Sequence, residues 1–105
     1  MATAQLLRAF LSDVSRRRYG YELMEETGFP SGKLYPILAK LTRAGWLVRD
    51  REDIDPTAAG RPVRYMYVLT DGGTEAARVE LAALSRQLAV PSPPLSRLRA
   101  QGGRA

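Results

Sequence analysis

The side chains in this 105-residue sequence that could do chemistry are almost all cations, carboxylates and phenols. There are 16 Lys+Arg, 11 Asp+Glu and five Tyr, with no Cys and no His. Without Cys there is no thiolate metal site and no disulfide framework. Without His the commonest general base and transition-metal ligand are missing. No Gly-rich phosphate loop or paired-acid motif takes their place. An enzyme is therefore not expected, and no cofactor is implied. Ionic and hydrogen-bonding contacts are what these side chains offer, and an acidic partner such as nucleic acid becomes a candidate. The net charge of +5 and the pI of about 10.1 point the same way.

The distribution of charge is more telling than its sum. Residues 1–30 carry four Arg and four acids, whereas residues 31–70 carry seven cations and four acids. Those four acids are gathered at Asp50, Glu52, Asp53 and Asp55. Outside that cluster, Lys33, Lys40, Arg43 and Arg49 form one basic stretch, and Arg61 and Arg64 another. Solvated surface charge is the plain alternative. The acids are expected to point away from a bound polyanion or to pair with Arg49, Arg51 and Arg64.

The elements that must position these cations can be read from periodicity. Leu6, Leu7, Phe10, Leu11 and Val14 form an apolar stripe, predicting a helix over 4–15 with Thr3 as its cap. Arg16, Arg17 and Arg18 then suit the negative end of its dipole. A short helix follows over 20–27, stopped by Gly28 and turned by Phe29-Pro30. Leu34, Ile37, Leu38 and Leu41 define a third helix that starts near Ser31 or Gly32 and is capped by Gly45. Pro36 predicts a late start or a distorted first turn for it. Trp46 to Arg51 and Val63 to Leu69 read as strands joined by a loop over 53–62. Thr70 or Asp71 caps a last helix, with Glu75 supporting its first turn. Ala77, Leu81, Leu84 and Leu88 repeat in it with heptad-like spacing.

Three helices followed by a two-stranded hairpin make a mainly α fold with a small β-hairpin, the winged helix-turn-helix, plus one C-terminal helix. The expected division is 1–70 for the winged domain, 71–90 for a dimerisation helix and 91–105 for a flexible basic tail. There is no apolar run near the length of a membrane span and no secretion signal, so the expectation is a cytoplasmic, nucleoid-associated protein without membrane contact.

Several runs resemble one bacterial family. Tyr19-Gly20-Tyr21-Glu22-Leu23 is similar to the His-Gly-Tyr-Glu-Leu segment of PadR-like transcriptional regulators. Ser31 to Leu38 resembles that family's Ser-x-Gly-Thr-Leu-Tyr-Pro-x-Leu reading helix, with Lys33 in the place of Thr. Leu41 to Leu47 resembles its helix-to-wing junction, with Thr42 in the place of Glu and Trp46 in the place of Leu. Gly60-Arg61-Pro62, then Arg64, Tyr67, Leu69 and Thr70, resembles its wing return. The resemblance implies a homodimeric, DNA-binding regulator, usually a repressor, of the short type with a single C-terminal helix. Some members bind aromatic or drug-like ligands at the dimer interface, which makes a small aromatic effector a candidate partner.

In a winged helix-turn-helix protein the second helix of the pair enters the major groove of double-stranded DNA. With the leucine face inward, Ser31, Gly32, Lys33, Tyr35, Pro36, Lys40 and Arg43 are left outward. Lys33 and Tyr35 are placed for base edges, Lys40 and Arg43 for phosphates. Arg61 suits the minor groove at the wing tip, and Arg64 a phosphate. Arg17, before the second helix, suits the backbone as well. Leu7, Ala77, Leu81, Leu84 and Leu88 are the expected dimerisation residues. Trp46 suits the core; beside a dimer interface it could also stack on a planar ligand. Two rival readings use the same fold: a winged-helix protein-interaction module, favoured by the acids at 50–55, and a plasmid or phage replication or copy-control factor.

Overall fold

A computed structural model describes residues 1–89 of the chain. Its elements run α1 (Ala2–Leu11), β1 (Arg18–Tyr19), α2 (Gly20–Thr27), α3 (Ser31–Arg43), β2 (Leu47–Arg51), α4 (Pro56–Ala59), β3 (Tyr65–Leu69) and α5 (Asp71–Ala89). The three strands form one antiparallel sheet in the order β1-β3-β2. In that sheet β3 pairs Leu69 with Leu47 and Tyr67 with both Arg49 and Arg18. Among the described residues no helix is long and apolar enough to cross a membrane. The expected tail over 91–105 lies outside the described residues, as does the last residue of 71–90.

The core sits where the inward stripes of α1, α2 and α3 meet the sheet and the start of α5. Leu6, Leu7, Phe10, Leu23, Leu34 and Leu38 are all buried to within 1%. Each such side chain removed from water contributes about 2 kcal/mol. Ala77 is fully buried and anchors α5 on this core, with Leu81 packed at its margin.

Three turns fix the relative placement of the elements. Gly28, at φ +78°, ends α2, and its N–H donates to the Met24 carbonyl. Gly45, at φ +82°, ends α3; its N–H reaches the Thr42 carbonyl at 3.1 Å, and the Trp46 N–H reaches the Leu41 carbonyl at 2.9 Å. This pair of bonds is a Schellman closure, which a residue with a Cβ would strain. Trp46 then packs half-buried against the core. Thr70 joins the end of α3 to the start of α5: its hydroxyl donates to the Gly45 carbonyl at 2.8 Å and accepts from the Gly73 N–H at 2.8 Å. Thr70 is thus the cap of α5, and Asp71 is the acid of its first turn.

Several expectations are corrected. Helix α1 ends at Leu11, Met1 stands at its N-cap position, and Thr3 lies inside the helix. Arg16, Arg17 and Arg18 therefore do not form its last turn; Arg18 begins a short strand instead. Helix α3 runs from Ser31 straight through Pro36. Pro36 cannot donate to the Gly32 carbonyl, but both residues are exposed and water can take that role. The strands are shorter than expected, beginning at Leu47 and Tyr65. The loop over 53–62 contains the helical turn α4, capped by the Asp55 carboxylate accepting from the Thr57 N–H, with Pro56 in its first position.

Candidate nucleic-acid interface

The exposed side of α3 carries Ser31, Gly32, Lys33, Tyr35, Pro36, Lys40 and Arg43, as the leucine periodicity requires. Leu34, Leu38 and Leu41 are buried beneath it and Ile37 is half-buried. No acid occurs anywhere along α3. The helix presents three cations on a face that lacks carboxylates, and its first turn is open. Lys33 reaches back so that its Nζ lies 4.6 Å from the centre of the Phe29 ring. That contact holds the ammonium near the helix start at little entropic cost.

Tyr35 is both packed and exposed. It is 41% exposed, yet its hydroxyl end lies on Gly20 at the start of α2. A methyl group at Gly20 would come within 2.1 Å of the Tyr35 hydroxyl oxygen. Glycine at 20 is therefore what lets the two helices of the pair approach through this phenol. The first turn of α2 is closed by Glu22, whose carboxylate accepts from the Tyr19 N–H at 2.9 Å.

The wing is organised by an ion pair. The Glu52 carboxylate accepts two bonds from the Arg61 guanidinium, at 2.9 and 3.0 Å, and a third from the Arg64 N–H at 3.2 Å. Its side chain is only 13% exposed. The Arg61 guanidinium lowers the Glu52 pKa from 4.5 to about 2, and Glu52 raises that of Arg61. Forked pairs of this kind are geometrically demanding. Arg61 thus sits at the base of the loop over 53–60, engaged by Glu52, rather than free at its tip.

Two of the other three acids are also engaged, but not with the expected partners, while Asp53 is exposed. Asp50 pairs with Arg17 at 2.7 Å, and Asp55 caps α4. Arg49 lies over the Tyr65 ring at 4.4 Å and Arg64 over the Tyr21 ring at 5.2 Å, instead of meeting carboxylates. The three consecutive arginines diverge. Arg16 pairs with Glu22 at 2.8 Å. Arg18 is 2% exposed, donates to the Ala9 carbonyl at 2.9 Å and pairs with Glu26, tying α1 to α2. Sequence reading treated the three as one basic group and missed the buried one.

Helices α1 and α5 flank an open groove of about 450 Å³. Leu7, Leu81 and Leu84 line it, and Leu88 lies beyond, 64% exposed. Among the described residues no cluster of His, Cys, Asp or Glu could hold a metal ion.

This arrangement can be set beside known proteins. The profile of the transcriptional regulator PadR-like family matches residues 10–79. The chain belongs to the PadR-like family. The matched segment runs from the end of α1 through the wing into α5, so it contains the whole helix-turn-helix pair. The PadR-like family is one of regulators rather than enzymes. A solved PadR family transcriptional regulator from Eggerthella lenta DSM 2243 is 27% identical, with a TM-score of 0.58 over 84% of this chain and 74% of its own. The protein smu.1704 from Streptococcus mutans UA159 is 28% identical, with a TM-score of 0.64 over 85% of this chain and 83% of its own. Reduced AbfR bound to DNA shares the fold at 18% identity, with a TM-score of 0.65 over 97% of this chain and 67% of its own. No curated protein matches the chain. The fold is the winged helix-turn-helix, with a third short strand, β1, joined to the expected hairpin.

Proposed function

We propose that this PadR-like regulator is a sequence-specific DNA-binding repressor that works in the cytoplasm as a homodimer on a palindromic operator. The observation that carries the reading is the exposed face of α3: Lys33, Tyr35, Lys40 and Arg43 stand along it, and no acid interrupts it. Ser31, Gly32 and Pro36 permit close approach at its first turns. Lys33 and Tyr35 would meet base edges, while Lys40, Arg43 and Arg64 would meet phosphates. Arg17 and Arg61 would join them by exchanging Asp50 and Glu52 for the backbone or the minor groove. The related fold of AbfR, solved on DNA, supports this use of the scaffold.

The dimer would form through the groove between α1 and α5, where Leu81 and Leu84 lead outward to Leu88, and Leu7, 1% exposed, forms part of the floor. Ala77 belongs to the protomer's own core and fixes the helix that carries the rest. A symmetric dimer of this fold sets two reading helices about 34–36 Å apart, one per half-site. The groove also has room for a small aromatic effector at the same interface. The protein-interaction reading drew on the acids at 50–55. With Asp50, Glu52 and Asp55 engaged inside the chain, little of that acidity is left to offer a partner.

The test is selection of bound genomic fragments followed by titration of the purified protein against them at several salt concentrations. Lys33→Ala is expected to weaken binding and flatten the salt dependence. Unchanged affinity and slope would remove Lys33 from the interface.

A further inference from the structure

All five tyrosines of the chain gather around one cleft of about 250 Å³, between the start of α2, the outer side of α3 and the return strand β3. Tyr19 and Tyr21 come from α2 and the residue before it, Tyr35 from α3, and Tyr65 and Tyr67 from β3. Arg64 and Val63 complete the wall, and among the described residues no acid lines it. Tyr67 is buried, whereas Tyr21, Tyr35 and Tyr65 are each 41% to 46% exposed.

Three of the five rings, those of Tyr19, Tyr21 and Tyr65, have a face covered. Tyr19 and Tyr21 stack on each other at 5.2 Å. The other cover comes from cations, Arg64 over Tyr21 and Arg49 over Tyr65. A planar ligand would have to displace these contacts. Around them the cleft offers phenol hydroxyls and the N–H groups of the Arg64 guanidinium, which lies over the Tyr21 ring. Walls rich in donors, with a positive charge and no carboxylate, suit an anion with several acceptor oxygens. The cleft shares Tyr35 with the exposed face of α3.

We infer that the tyrosine cleft seats a phosphate of the DNA backbone, with the Tyr21 and Tyr65 hydroxyls donating beside the Arg64 guanidinium. This rests on the DNA-binding reading above and adds to it a phenol clamp that sets the register of α3 in the groove. The clamp carries no sequence information, because every nucleotide offers the same phosphate.

The experiment measures affinity for a mixed-sequence duplex of about 30 base pairs and for a selected genomic fragment, over a salt series. Arg64→Gln should weaken both equally and lower the salt slope by about 0.9. Tyr21→Phe and Tyr65→Phe should each weaken both by about threefold to tenfold with the slope unchanged, since a neutral donor displaces no counterion. Arg64→Lys should restore most of the slope. Thermal melting of each variant, expected near wild type, separates contact loss from misfolding. Loss confined to the selected fragment would mean base reading and would overturn the phosphate assignment. So would phenylalanine and glutamine variants that bind both DNAs as wild type does. A wild-type protein that binds neither DNA would instead remove the DNA reading itself.

Discussion

The Tyr35 hydroxyl occupies the space where a side chain at Gly20 would begin, 2.1 Å from the position of a Cβ. The two helices of the helix-turn-helix pair are thus spaced by one phenol resting on one glycine.

Gly20→Ala should therefore act through Tyr35. The ring is partly exposed and can swing out, so the cost should be modest, about 1–2 kcal/mol. In a double-mutant cycle with Tyr35→Ala, the two losses in urea-unfolding free energy should fall short of additivity by at least about 0.5 kcal/mol. Simple additivity would show that the contact does not couple them.

Glycines 72 and 73 should respond in opposite ways. A Cβ at Gly73 would fall 2.1 Å from the Trp46 carbonyl oxygen and 2.7 Å from its backbone carbons, which cannot move aside alone. Gly73→Ala should cost about 2–3 kcal/mol and lower the melting temperature. At Gly72 nothing among the described residues lies within 4 Å of such a Cβ. Gly72→Ala should stabilise by about 0.5–1 kcal/mol, because alanine loses less entropy in a helix. Calorimetry on the two single variants checks both.

The clasp between Glu52 and Arg61 predicts a pH dependence. The folded pKa of Glu52 is depressed from 4.5 to about 2, so the carboxylate binds its proton more weakly in the folded wing. Its contribution to stability is fully present above about 4.5 and is lost as the pH falls toward about 2. Glu52→Gln should be less stable than wild type near neutrality, and the gap in urea midpoint should close across that acid window. A gap that stayed constant with pH would show that the charge of Glu52 is not what stabilises the wing.

Leu88 should matter to association and not to the protomer. It is 64% exposed and sits beyond the buried Ala77 on the same helix. Leu88→Asp should leave the circular-dichroism spectrum of dilute protein unchanged and weaken self-association about tenfold or more in sedimentation experiments. Unchanged association would move the dimer contact elsewhere.

Helices α2, α3 and α5, the β2–β3 hairpin and the outward set on α3 were legible because apolar periodicity and glycine stops are local signals. Leu34, Leu38 and Leu41 alone decide which way Lys33, Tyr35 and Lys40 face. The extent of α3 departs from the expectation set by Pro36 because the cost of a proline depends on its setting: the exposed Gly32 carbonyl can be served by water. Strand β1 has two residues, too few to show any period, and it exists because β3 offers it an edge. The turn α4 carries a local signal, Asp55-Pro56 before Gly60, but its single turn sits among loop-forming residues.

The sequence by itself determined the family, the order of the four main helices and the β2–β3 hairpin, and the acid-free reading helix, since each is encoded in residues close together along the chain. Only the tertiary structure decided what each charge does. Arg16, Arg17 and Arg18 are identical side chains in succession, yet they pair with Glu22, Asp50 and Glu26, and one of them is buried. Glu52 finds Arg61 across the wing loop, and tyrosines from both ends of the domain meet in one cleft. An ion pair or a stacked ring depends on distance in space, and that distance is set by the packing of the core.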